Sequence, residues 1–308
     1  WTPSSDIVNA LEPVAPSTQK AIFAYGQTGS RVSMSNLVNS SGVIAADVTG
    51  VGTARDALGA ASYGGDKAIF AFGNDGSSGV SMSNLVTSSG VVGSDVTGVG
   101  TGRYYIGAAE YGTDKAIFAY GQNSGGSKVS MSNLVTNEGV VGSDVTGVGT
   151  ARRSNNNGAG YGTDKAIFAY GDTGSFVSMS NLVSNVGVVG SDVTGVGTAR
   201  KYVAATEYGT DKAIYGYGDN GGKVSMTNLV TNLGVVGSDV TGVGTARSYL
   251  SACRYGGDKA IFGYGLVSAN PGVSMSNLVN NSGVVATDVT GVGTARYALN
   301  SAGYSFSA

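Results

Sequence analysis

The string Lys-Ala-Ile-Phe/Tyr begins at Lys20, Lys67, Lys115, Lys165, Lys212 and Lys259, at spacings of 47, 48, 50, 47 and 47 residues. Each unit continues into Val-Ser-Met-Ser/Thr-Asn-Leu-Val, as in Val32 to Val38, and then Gly-Val-Val/Ile. It closes on Asp-Val-Thr-Gly-Val-Gly-Thr-Ala/Gly-Arg, with the arginines at Arg55, Arg103, Arg152, Arg200, Arg247 and Arg296. A repeat of roughly 40 to 50 residues belongs to propellers or helical solenoids. With 52 glycines and recurrent β-branched alternation, helices are disfavoured. The expected fold is therefore all-β: a six-bladed β-propeller of four-stranded blades.

Within a unit, the first strand is expected from the stretch after each arginine to a Tyr-Gly pair, as in Ile106–Tyr111, with small residues where inner strands crowd an axis. Gly112-Thr113-Asp114 then turns into a second strand, Lys115–Tyr120. A third strand is expected at Val129–Val135 and a fourth from Gly139 to about Val145. The first unit lacks the first strand, and the last ends with an extra one, Tyr297 to about Tyr304. Pairing that C-terminal strand with Lys20–Val38 would complete the N-terminal blade and remove open sheet edges. An open β-solenoid is the competing architecture, and it does not predict complementary ends. Residues 20–308 are thus assigned to the propeller. Residues 1–19, with Pro3, Pro13 and Pro16, are assigned to a linker or docking segment. The start at Trp1, without Met or a signal-like apolar stretch, suggests a processed product or part of a longer polypeptide.

Composition narrows the function. Lys and Arg number 18 against 20 Asp and Glu, so no basic face is expected and no nucleic-acid partner. No run of eighteen apolar residues exists, so no membrane insertion is expected. Histidine is absent, which removes His-based triads, acid–base catalysis and metal sites. Cys253 reads as a buried structural thiol. The methionines Met34, Met82, Met131, Met179, Met226 and Met275 read as packing between blades. Each repeated arginine reads as pairing with an aspartate of a neighbouring fourth strand, such as Asp95 or Asp144, or with loop carbonyls. Asn74-Asp75-Gly76, Asp172-Thr173-Gly174 and Asp219-Asn220-Gly221 read as hairpin turns, not calcium loops. Only Glu12, Glu110, Glu138 and Glu207 break the repeat, and no carboxylate pair forms a glycosidase constellation. The expectation is no catalytic residue, no metal and no cofactor: a protein that is not an enzyme.

Two resemblances rest on these strings. The Arg, small-residue strand, turn and Ala21-Ile22-Phe23-Ala24-Tyr25-Gly26 pattern resembles kelch-type blades, with Tyr-Gly where kelch blades usually carry Gly-Gly. From Lys20 to the C-terminus, Ser-Met-Ser-Asn-Leu-Val, Asp-Val-Thr-Gly-Val-Gly-Thr-Ala-Arg and Tyr-Gly-Thr-Asp-Lys-Ala-Ile-Phe resemble repeat-rich virion structural proteins of tailed phages, especially marine ones. That resemblance implies a particle component such as a tail fibre or surface appendage. It would be located in the virion and, in a homo- or hetero-oligomeric assembly, would contact other virion proteins or a host receptor, protein or glycan. A secreted or cell-surface lectin-like propeller is the alternative.

The six units differ mainly just after each arginine and in the loop between second and third strands. In a four-stranded blade both lie on one face, a scaffold presenting variable loops. Tyr104, Tyr105, Arg153, Asn155, Asn156, Lys201, Tyr202, Tyr249 and Tyr297 are its candidate binding residues, a content suited to recognition. Loop drift after duplication would leave the same pattern, and some of these tyrosines are open to a core assignment.

Overall fold

The computed structural model describes residues 19–268 and 272–305. The expected docking segment, apart from Gln19, lies outside the described residues. These residues are all-β, without helices, and form six three-stranded antiparallel sheets and one two-stranded ribbon. The first sheet joins the two ends of the described chain: β1 (Lys20–Ala24) pairs with β2 (Ser35–Val38) and with β20 (Asn300–Tyr304), Lys20 facing Tyr304. The second is β3 (Gly59–Tyr63), β4 (Lys67–Ala71) and β5 (Ser83–Val86). The third is β7 (Gly107–Tyr111), β8 (Lys115–Ala119) and β10 (Ser132–Val135), beside the ribbon of β6 (Arg103–Tyr104) and β9 (Gln122–Asn123). The fourth is β11 (Gly158–Tyr161), β12 (Lys165–Asp172) and β13 (Phe176–Val183). The fifth is β14 (Ala204–Tyr208), β15 (Lys212–Asp219) and β16 (Lys223–Val230). The sixth is β17 (Ser251–Tyr255), β18 (Lys259–Gly265) and β19 (Val273–Val279).

The Lys-Ala-Ile-Phe-Ala run does not alternate in polarity because each middle strand feeds two cores. Ile22 and Ala24 pack with Leu58, Phe70 and Val86 of the second sheet, whereas Ala21 and Phe23 pack with Tyr255, Ile261 and Tyr264 of the sixth. The same division recurs between every consecutive pair, giving six cores for six sheets. The inner strands β3, β7, β11, β14, β17 and β20 touch their neighbours in that order, and β20 touches β3 again. Backbone bonds between the tight turns follow the same cycle: Gly64 N donates to Asp114 O, Gly112 to Asp164, Gly162 to Asp211, Gly209 to Asp258, Gly256 to Gln19, and Ser305 to Asp66, all at 2.7–3.0 Å.

The expected fourth strand differs. Its residues follow the outer edge only through isolated bridges, such as Ser35 to Val48 and Val38 to Ile44. The cause is the repeated asparagine of the third strand. Asn36 Nδ2 donates to Ala45 O at 3.0 Å and to Asp47 Oδ1 at 2.9 Å, so a side chain takes the carbonyl a regular ladder would use. The methionines also depart from expectation. They are half-buried, within the third strand or immediately before it, instead of filling the inter-sheet cores.

The six repeated arginines are completely buried. Arg247 donates from Nε to Tyr264 O at 2.8 Å, from Nη1 to Thr245 O at 3.1 Å and from Nη2 to Asn277 Oδ1 at 2.7 Å. Its guanidinium lies 4.3 Å over the Tyr217 ring of the preceding sheet, a cation–π contact in a desolvated place. The expected aspartate partners are present but more distant: Arg55–Asp95 at 3.9 Å, Arg103–Asp144 at 3.5 Å. Each aspartate chiefly clamps the incoming connection, as Asp95 accepts from Thr53 N and Oγ1 at 3.0 and 2.7 Å. Burial lowers the arginine pKa, to about 10 at Arg103, and still leaves the charge in place at neutral pH. Arg247→Met strands Asn277 Oδ1 and two carbonyls without donors. It is expected to cost about 3 kcal/mol or more, the scale of breaking a buried charge network, read as a lower urea midpoint at unchanged m-value.

Candidate binding face and axial funnel

The residue after each arginine bridges to the start of the loop between second and third strands: Asp56 to Asn74, Tyr104 to Gln122, Arg153 to Asp172, Lys201 to Asp219, Ser248 to Leu266 and Tyr297 to Gln27. The two variable segments therefore adjoin. The next residue turns the chain toward the inner strands through a left-handed conformation, with φ of 52° at Ala57 and Tyr105, 55° at Tyr202 and Tyr249, and 51° at Ala298. Such backbone is unfavourable for these residues, and hydrogen bonds to adjacent connections hold it. Ala57 N donates to Ala298 O and Tyr105 N to Ala57 O at 2.8 Å, Ala298 N to Tyr249 O at 2.9 Å, and Tyr249 N to Tyr202 O at 3.2 Å.

This turn brings five of the candidate tyrosines together. Tyr202 and Tyr249 stack at 3.8 Å with planes 20° apart, and Tyr105 lies 6.0 and 6.4 Å from them. Tyr104 is 5.1 Å from Tyr105, and Tyr297 is 6.0 Å from Tyr249. Burial, followed by the nearby Tyr105 and Tyr202 hydroxyls, holds the Tyr249 phenol far above its ordinary pKa. Tyr202 is the most covered, and the other four are half-buried. Two cations border the cluster. Arg153 lies 5.3 Å over the Tyr105 ring, bonds Gln122 and stands 3.6 Å from Asp172. Lys201 Nζ is 4.9 Å from the Tyr202 and Phe176 rings.

Asn155 and Asn156 are placed differently from the exposed loop suggested by their polarity: they are only 2% and 5% exposed. The connection from Arg152 to Tyr161 is one residue longer than its counterparts and carries asparagines where other units carry Leu58, Ile106 or Val203. The extra residue turns both amides inward. Asn156 Nδ2 reaches across to Leu250 O and Leu299 O, 3.0 Å each.

A second feature was missed by reading the carboxylates for catalytic pairs. The residue before each inner-strand tyrosine is Ser62, Glu110, Gly160, Glu207, Arg254 or Gly303. Six inner strands bring these positions to one level, where Arg254 Nη2 donates to Glu110 at 2.7 Å and Nη1 to Glu207 at 2.8 Å. The signal was present in the sequence, since Glu110, Glu207 and Arg254 are charges at a repeat position otherwise held by Ser or Gly. Burial raises the Glu110 carboxyl to about 7 against the pull of Arg254, and Glu207 and Asp114 add to the rise. Burial also raises Glu207. One guanidinium shared by two carboxylates leaves each only partly compensated. Beyond this cluster a funnel of about 180 Å³ opens past Thr113, Thr163 and Thr210. Among the described residues no group of three or more His, Cys, Asp or Glu gathers to hold a metal.

No known family model matches the chain, and comparison with curated proteins yields no match.

The Glu110 carboxyl binds its proton more tightly folded, at about 7, than at its ordinary 4.5. Its contribution to stability is therefore complete below about pH 4.5 and lost as pH rises through about 7. The clamping aspartates, Asp95 among them, are lowered and titrate below this window. Melting temperature is expected to fall between pH 4.5 and pH 7.5, and Glu110→Gln to flatten that fall; equal slopes in both proteins would refute the assignment.

Proposed function

We propose that this protein is a non-catalytic binding module: a six-bladed β-propeller, closed by its C-terminal strand, that meets its partner through the tyrosine-bearing face. The closed reading is supported by the cyclic order of inner-strand contacts, the six shared cores and the pairing of β20 with β1. Three strands per blade, with a bridged outer segment in place of the fourth, are consistent with it.

One observation carries the binding reading. Tyr104, Tyr105, Tyr202, Tyr249 and Tyr297 come from four different connections and meet on one side of the assembly, bordered by Arg153 and Lys201. The cyclic packing brings the two positions after each arginine together whatever they hold; what favours recognition is that tyrosine fills five of these twelve positions. Tyrosines held by neighbours lose little entropy on contact and offer large area with a polar tip. The lack of histidine and the structural employment of nearly every aspartate favour recognition over turnover. Taken with the resemblance of the repeat strings to tailed-phage virion proteins, the role we favour is a virion surface or tail appendage component touching the host envelope or a neighbouring virion protein.

Binding of the chain to whole cells and to a glycan array, beside a Tyr104→Ala/Tyr105→Ala/Tyr202→Ala/Tyr249→Ala form, tests the face. Retained cell binding by the substituted protein would reject it, and glycan binding with cells silent would favour the lectin-like alternative. Closure has its own test. Deleting Asn300–Ala308 leaves the edges of β1 and its neighbours unpaired, and aggregation or a fall in melting temperature of 10 °C or more, roughly the effect of losing a few kcal/mol, is expected. A truncated chain that melts with the parent would exclude closure.

A further inference from the structure

The inner strands enclose an axial cavity whose two ends differ in chemistry. Its wall at mid-length is Ala60, Ala108, Gly158, Ala205, Ala252 and Ser301, one small residue from each sheet. Glu110, Glu207 and Arg254 stand at the end that opens into the funnel, and Asn156 lines the other. Both hydrogens of the Asn156 amide are directed at carbonyls, Leu250 O and Leu299 O, which fixes the orientation of the group. Its Oδ1 is buried and accepts no hydrogen bond. Native structures seldom leave a buried acceptor so, and an occupant with a donor is the common remedy. Asn156 lies in the bend that precedes β11, four residues before Gly160, which marks the level of the carboxylates.

The opposite end selects charge. Arg254 engages Oε2 of both Glu110 and Glu207, so one guanidinium serves two carboxylates. Among the described residues around the funnel, Glu110, Asp164 and Glu207 face Lys165 and Arg254, one negative charge in excess. An anion is repelled there. A sugar would need side-chain hydrogen-bonding partners at mid-length, where the ring of Ala60, Ala108, Gly158, Ala205, Ala252 and Ser301 offers one hydroxyl. A chain of methylenes suits that wall, and a protonated amine suits both ends.

We propose that the axial cavity binds a linear aliphatic amine, with an ammonium group at Glu110 and Glu207 and the chain running along the alanine-lined shaft toward Asn156 Oδ1, which accepts from a second N–H donor. This site lies on the far side of Asn156 from the tyrosine cluster and does not depend on that face's partner.

Calorimetric titration of the full chain at pH 8, with diamines from 1,3-diaminopropane to 1,8-diaminooctane and the matching monoamines, tests the proposal. Affinity is expected to pass through an optimum of chain length and there to exceed the monoamine by about tenfold, the effect of one hydrogen bond to a charged group. Glu207→Gln should weaken the optimal diamine about tenfold, and Ala252→Leu, which fills the shaft without removing a charge, should abolish its advantage over the monoamine. Absence of heat with every amine would overturn the site and leave a shaft that holds water only. So would affinity independent of chain length, or unchanged diamine binding in Ala252→Leu. The length series on the parent protein decides the matter even if a variant fails to fold.

Discussion

A buried guanidinium at each junction is the contact on which the rest of this structure depends. The arginine arrives at the end of a connection, binds the second and third strands of the sheet it enters, and stacks on an aromatic ring of the sheet it has left. Arg296 closes the series: it donates to Tyr25 O at 3.0 Å and Asn36 Oδ1 at 2.7 Å in the first sheet while lying 4.4 Å over Tyr264 of the sixth. A fully buried charge is expensive unless all its donors are used. That requirement makes each junction specific, because a shifted sheet would leave five donors and several carbonyls unpaired.

The same junction explains the unusual backbone of the second strands. Tyr25 and its counterparts adopt φ near 60°, and the following glycine is also positive, at 101° for Gly26. Where the strand continues, pairing slips between Ala169 and Gly171 and again between Gly216 and Gly218. Such a bulge re-aims a side chain. Here it turns the aromatic ring onto the next sheet, under the next arginine, and frees the aromatic's own carbonyl for the arginine that entered its sheet. A Cβ at Gly26 would stand 2.8 Å from Tyr297 O, so the close approach of the adjoining connection also requires glycine.

With the cores and junctions fixed six times over, change is confined to positions the repeat does not use. Two such sets gather aromatic or charged side chains. The connections after Arg103, Arg200, Arg247 and Arg296 place tyrosines together at one end of the inner strands. The residue before each inner tyrosine sets Glu110, Glu207 and Arg254 at the other. Reading the carboxylates for catalytic pairs passed over the second set, since Glu207 and Glu110 stand 47 and 144 residues from Arg254 and meet it only through the cyclic packing.

The sequence by itself determined the period, the all-β class, the strand cores, the tight turns and the pairing of the last strand with the first, because each follows from local residue pattern and repeat arithmetic. It also singled out the tyrosines, though not that they would touch. Only the tertiary structure decided that asparagine side chains would interrupt the outer ladder, that Asn155 and Asn156 would turn inward, and that an arginine would lie between two distant glutamates. The physical reason is the same in each case. A buried polar group must find its partner in space, and which partner lies within reach depends on how neighbouring sheets are set against one another.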